Sequence, residues 1–194
     1  MKVCGLTGGI GMGKSTVAQF LLSSGASVVD TDNLARELVQ PGQPALEEIR
    51  AHFGVGIIDS AGRLRRSELA SIIFQDSAAR QKLESILHPR IREARLTQIN
   101  IWRQSGLTLG FVVIPLLFET HAESEFNKII CVACSPATQR ERLMARGWSI
   151  DEIRLRAAAQ LPIEVKVDRS NFVIWTEGDL DVSRRQVTDI LQKI

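Results

Sequence analysis

Residues Gly8-Gly9-Ile10-Gly11-Met12-Gly13-Lys14-Ser15 satisfy the pattern G-x-x-x-x-G-K-[ST], and no other stretch restricts the fold as much. The pattern carries its mechanism only where a strand ends and a helix begins. Both flanks meet that condition: Lys2–Leu6 is a short apolar run, and Lys14–Ser24 is amphipathic and stops at Gly25, a natural left-handed cap. In such a turn the glycines let successive backbone N–H groups face one centre and form a nest for phosphate oxygens, while the helix N-terminus adds its positive end. Lys14 would reach the β- and γ-phosphates and the Ser15 hydroxyl would ligate Mg²⁺. Gly9, Gly11, Met12, Gly13, Lys14, Ser15 and Thr16 are therefore the candidate nucleotide-binding residues. The loop implies a nucleoside triphosphate such as ATP, but leaves open whether the chain is a small-molecule kinase, a switch or a motor.

Further short runs rich in Val and Ile occur at Ser27–Asp30, Leu109–Ile114, Lys128–Cys134 and Asn171–Trp175. Their nearly unbroken apolar character fits strands covered on both faces, as in a parallel sheet. Between them lie helical segments with recognisable starts: Ser135-Pro136 as cap and first residue, and Ser149-Ile150-Asp151-Glu152 with capping-box spacing. Strand–helix alternation of this kind gives an α/β fold with a five-stranded parallel sheet flanked by helices. Residues 33–105 interrupt the rhythm with five helical segments: Asn33–Val39, Ala45–Phe53, Ser67–Gln75, Ala78–Leu87 and Pro89–Gln104. A crossover needs only a dozen or so residues, so this stretch reads as a helical insertion. The expected division is a core of 1–32, 106–135 and 161–194, an insertion of 33–105, and a helical excursion of 136–160.

Lys and Arg total 24 against 22 Asp and Glu, and a net charge of +2 gives no reason to expect nucleic acid or a membrane surface as partner. Leu107–Phe118, the longest apolar run, holds Thr108, Gly110 and Pro115 and is too short for a bilayer-spanning helix. No signal-peptide pattern opens the chain, and 3 Cys do not make a disulfide framework, so a cytoplasmic protein is expected. Cys131-Val132-Ala133-Cys134 matches C-x-x-C, yet it ends a strand instead of opening a helix, which makes core cysteines the better reading. Asp59-Ser60-Ala61-Gly62 reads as a polar turn.

Asp30 and Asp32 close the second strand, on the edge of the sheet where ligands of parallel α/β folds sit. Two residues apart on extended chain they could face one side, Asp30 ordering a water of the Mg²⁺ shell and Asp32 receiving the proton of an attacking hydroxyl. Alternatively Asp32 caps a helix starting at Asn33. Arg140, Arg142, Arg146, Arg154 and Arg156 crowd into the excursion. Arginine's planar fork suits phosphate oxygens, and a closing lid would carry such groups onto a transferring phosphoryl. The competing reading is a solvated face paired with Glu141, Asp151 and Glu152. Glu119 could orient a metal-bound water or the acceptor, or start a helix; His88 could bind the acceptor or cap the helix after Pro89.

These residues resemble the dephospho-CoA kinase family. The likeness rests on Gly5-Leu6-Thr7-Gly8-Gly9-Ile10 through the loop to Thr16, Asp30-x-Asp32, Ala35-Arg36, Gln40-Pro41-Gly42, Phe53-Gly54, His88-Pro89 and Pro115-Leu116-Leu117-Phe118-Glu119. It continues through Thr138-Gln139, Arg142, Arg146, Arg156 and Gln160-x-Pro162. The resemblance implies ATP-dependent phosphorylation of the ribose 3′-hydroxyl of dephospho-CoA with Mg²⁺, by a monomer or small homo-oligomer. It implies Asp32 as base, with Lys14 and Arg142 at the transferring phosphoryl, and Arg146 and Arg156 on the nucleotide. It also implies Thr7, Asp32, Arg36, His88, Pro115, Leu116 and Glu119 at the acceptor, 33–105 as acceptor subdomain and 136–160 as lid. The alternative is a related kinase acting on a nucleoside, nucleotide or small alcohol, or a nucleotide-dependent switch. The chain departs from the family pattern at Met12, where Ser is usual, and at Ser170-Asn171 and Thr176, where Ala-Asp and Asn are usual.

Overall fold

Val3 to Gly8 is buried without interruption, as a strand covered on both faces requires. In the computed structural model, which describes all 194 residues, this strand β1 (Lys2–Gly8) is the centre of a five-stranded sheet ordered β2-β3-β1-β4-β5. The others are β2 (Ser27–Asp30), β3 (Leu109–Val113), β4 (Lys128–Ala133) and β5 (Phe172–Trp175). β1 pairs parallel with β3, Leu6 opposite Val113, and with β4, Thr7 opposite Cys131 and Gly8 opposite Val132. The expected α/β parallel sheet is the one observed.

Two compact units make up the chain: Met1–Val29 with Ile101–Ile194, and Asp30–Asn100. In the first, Leu6, Phe111, Ile130 and Val132 pack with Val17, Phe20 and Leu21 of α1 (Lys14–Ser23) and with Val187 and Ile190 of α9 (Leu180–Leu191). This unit also holds α6 (Pro136–Met144), α7 (Ile150–Ala158) and α8 (Ile163–Asp168). The Ser149–Glu152 capping box is formed in full, and Ser135 caps α6. The α8 and α9 helices add to the set expected from sequence.

The second unit contains α2 (Thr31–Leu38), α3 (Pro44–Phe53), α4 (Arg66–Gln75) and most of α5 (Ser77–Gln104) around Leu46, Ile49, Ile57, Leu69 and Ile86. Asp59 accepts from the Ala61 and Arg63 N–H groups at 2.9 and 2.8 Å, making the polar turn the sequence suggested. The expectation for His88 as a cap fails. Ala78–Leu87 and Pro89–Gln104 are a single helix, so His88 caps nothing; it is an exposed mid-helix residue. A proline inside a helix removes one donor. The carbonyl that Pro89 leaves without its helical donor is that of Ser85, four residues back, and α5 runs on past it; the Arg90 guanidinium donates to the Ile86 carbonyl at 2.7 Å and to Glu48 of α3 at 2.8 Å. No helix of the chain is long and apolar enough to cross a membrane.

Candidate active site

The loop after β1 is shaped by backbone that only glycine fills. Gly8 has φ +146° and a Cβ there would lie 2.1 Å from the Val132 carbonyl oxygen, so β1 and β4 approach too closely for any side chain. Gly13 is the N-cap of α1 at φ 93°, with no side-chain cap and no acidic residue in the first turn. The N–H groups of a first helical turn lack intrahelical acceptors, and the helix dipole adds positive potential. This terminus therefore suits an anion. Ser15 stands exposed on that first turn and Thr16 is half-buried. The Lys14 ammonium bends back over the loop, donating to the Gly8 and Gly9 carbonyls at 2.9 and 2.8 Å.

Side chains from three other segments hold the loop. Gln139 of α6 donates to the Ile10 carbonyl at 2.7 Å, and the Ile10 N–H donates to Gln160 at 3.0 Å, which fixes the peptide groups on both sides of Ile10. Thr176, just past β5 and buried, donates its hydroxyl to the Met12 carbonyl at 2.9 Å. Arg142 donates to that hydroxyl at 2.9 Å and to the Thr176 carbonyl. Met12 is itself buried, its sulfur covering Gly9, where a Cβ would come within 2.7 Å of it. Two of the departures from the family pattern, Met12 and Thr176, thus meet at one hydrogen bond.

Of the other arginines in the excursion, Arg156 lies over the Trp148 ring at 4.3 Å, a cation–π contact, and Arg146 is exposed. Glu177, beside Thr176, accepts from the Thr138 hydroxyl at 2.8 Å, the Ser135 N–H at 3.2 Å and the Trp175 indole at 2.8 Å. The Ser135 side chain above all, then those of Thr138 and Trp175, hold its carboxyl down at about 2 from an ordinary 4.5. The bonds tie the start of α6 to the segment after β5.

Beyond β3 the chain makes successive turns, so Glu119 does not start a helix. The Pro115 carbonyl accepts from the Thr7 hydroxyl at 3.3 Å and from the Lys166 ammonium at 2.8 Å. Lys166 also pairs with Glu119 at 2.7 Å, and the same Glu119 oxygen accepts from the Leu161 N–H at 2.9 Å. Leu116 is half-buried in this turn. Cys4, Cys131 and Cys134 are unpaired and buried. Desolvation pushes the Cys131 thiol up to about 11 even with Lys166 and Lys14 nearby, in keeping with core cysteines.

The remaining candidates belong to the second unit. Asp30 is the N-cap of α2: its carboxylate accepts from the Asp32 N–H at 2.8 Å. This corrects the expectation of an extended Asp30-Thr31-Asp32, because helix begins at Thr31. The cap is Asp30, not Asp32, and Asp32 sits exposed in the first turn, four residues before the exposed Arg36. Residues at that spacing share a helix face. Sequence reasoning singled out neither Lys166, Thr176 nor Glu177 as functional; Gln139 and Gln160 were visible in it only as members of the resemblance.

The dephospho-CoA kinase family model matches residues 2–181. The chain belongs to the dephospho-CoA kinase family. Dephospho-CoA kinase of Geobacter sulfurreducens is 42% identical over 194 residues, covering 100% of this chain and 98% of the relative. That of Bdellovibrio bacteriovorus is 40% identical over 192 residues, covering 99% and 96%. Among solved structures, a Thermus thermophilus protein superposes with a TM-score of 0.83 at 34% identity, covering 100% of this chain and 97% of that one. Dephospho-CoA kinase from Campylobacter jejuni gives 0.74 at 27%, with the same coverage. Shikimate kinase from Acinetobacter baumannii, 0.55 at 16% identity, shares the fold.

Proposed function

We propose that the chain transfers the γ-phosphoryl group of ATP to the ribose 3′-hydroxyl of dephospho-CoA, with Asp32 as the base. The observation that carries this reading is the glycine-built, uncapped α1 terminus with Lys14 beside it, in a chain of the dephospho-CoA kinase family. The nest would receive the ATP phosphates through main-chain N–H groups, which tolerates Met12 because the donors belong to the backbone whatever the side chain. Lys14 would exchange its two carbonyl acceptors for phosphate oxygens. A bound Mg²⁺ would neutralise charge on the β- and γ-phosphates. Ser15 would hold it directly and Asp30 through water, using the carboxylate oxygen its cap leaves over.

As the 3′-oxygen attacks phosphorus, Asp32 takes its proton, a new O–P bond forms, and the bond to the β-phosphate oxygen breaks, releasing ADP. Arg36 shares the face of α2 with Asp32 and would take a phosphate of the acceptor, with Thr7, His88, Pro115, Leu116 and Glu119 completing its site. Arg142, Arg146 and Arg156 would meet the nucleotide from the 136–160 lid, and 33–105 would be the acceptor subdomain. We read the partner as a small molecule, with no nucleic acid or membrane, and the protein as a cytoplasmic monomer or small homo-oligomer. Asp32→Asn tests the base: kcat should fall by about a hundredfold or more, with ATP affinity within a few-fold. An unchanged kcat contradicts it.

A further inference from the structure

Lys166 is the one lysine with no exposed surface, and a buried ammonium is costly unless it is paired with a charge and hydrogen-bonded. Glu164 and Asp168 share its helix, α8, but the bonds of its ammonium go to other segments. One goes to the Pro115 carbonyl at 2.8 Å and one to a Glu119 oxygen at 2.7 Å. Through these, Lys166 joins three segments that frame the site. The Thr7 hydroxyl at the end of β1 donates to the same Pro115 carbonyl. The Leu161 N–H, where the 136–160 excursion returns to the core, donates to the same Glu119 oxygen. The other Glu119 oxygen, Oε2, is buried and makes no hydrogen bond.

We infer that Lys166 is a positioning residue for the phosphoryl acceptor: it locks Glu119 by one oxygen and leaves the second as a fixed, unshared acceptor for a hydroxyl or a bound water. A carboxylate lacking this anchor would rotate, and both oxygens would compete for Leu161 and solvent. Fixing one oxygen at the Pro115 turn also ties that turn to Thr7, one residue before the phosphate loop. Misplacement of such a group by an ångström costs up to about a hundredfold in rate. The inference rests on the reading that places Glu119 at the acceptor.

A double-mutant cycle tests it, using Lys166→Met, Glu119→Gln and the combination, which removes both charges together and so folds even where Lys166→Met alone is unstable. Each folded variant is measured for kcat and KM with dephospho-CoA, and for ATP binding by calorimetry. Glu119→Gln and the combined variant should both lose about tenfold or more in kcat/KM for dephospho-CoA and differ from each other by less than about threefold. ATP affinity should stay within about threefold of the unaltered enzyme. If the combined variant is worse than Glu119→Gln by the full effect of a second independent lesion, or if ATP affinity falls as far as acceptor kinetics, Lys166 does not act through Glu119. If Glu119→Gln alone is unimpaired, the acceptor reading of Glu119 fails first.

Discussion

Replacing Thr176 by Val keeps the side chain's shape and removes the hydroxyl that joins the phosphate loop to Arg142. The Met12 carbonyl, in a residue only 3% exposed, loses the donor at 2.9 Å, and an unsatisfied buried carbonyl costs about 1–3 kcal/mol. Arg142 keeps its bond to the Thr176 carbonyl and stands partly in solvent, so its lost bond adds less than about 1 kcal/mol. The incoming methyl needs roughly 3.3 Å from a carbonyl oxygen. It would therefore push Met12 and Gly13 out of register with the nest. About 2–3 kcal/mol in total corresponds, for a chain of this size, to a drop in Tm of roughly 4–12 °C. Because the strain falls on the loop, ATP affinity should weaken by about tenfold, whereas Thr176→Ser, which keeps the hydroxyl, should retain most of both. Thermal denaturation and calorimetric ATP titration measure the two effects. Val with unaltered Tm and ATP affinity, or Ser as damaged as Val, would refute the hydroxyl's part in holding the loop.

Glu177 gains its depressed titration from donors made in the folded state, so its contribution to stability is complete above its ordinary 4.5 and disappears as pH falls through about 2. Glu177→Gln should therefore flatten the acid side of the stability profile between those values, followed as urea midpoint against pH; a curve merely parallel to that of the unaltered protein contradicts this. The thiols of Cys4 and Cys131, raised to about 11 by burial, should resist a chromogenic disulfide reagent at pH 8 in the folded protein and react together with Cys134 on unfolding. Fast labelling before unfolding would show a site more open than the packing allows.

The phosphate loop and the parallel sheet were legible because each depends on local rules. Glycine spacing marks the turn at Gly8–Gly13, and continuous apolar runs mark doubly covered strands. Where sequence reading erred, a tertiary partner overrode the local signal. Pro89 reads as a helix break, yet α5 continues through it and Arg90, just beyond, is tied to Glu48 of α3. The alternative reading of Asp32 as a cap fails because the helix begins two residues earlier and gives that task to Asp30. Lys166 carried no mark at all, since an Ile-Glu-Val-Lys-Val-Asp stretch presents its lysine as an ordinary solvated charge. Only the docking of α8 against β1 and β4 brings it to Pro115 and Glu119. Thr176 was visible only as a departure from a family pattern, and its bond to Met12 spans most of the sequence.

The most direct test of the proposed reaction is product analysis. Purified protein is incubated with ATP, Mg²⁺ and dephospho-CoA, or with a panel of nucleosides, nucleotides and small alcohols, and products are identified by mass spectrometry and phosphorus-31 NMR. The expected result is one new phosphomonoester on the ribose 3′-oxygen of dephospho-CoA, formed in step with ADP, and little turnover on the panel. Folded protein that binds ATP yet leaves dephospho-CoA unchanged, or that phosphorylates a panel compound in preference, would contradict it.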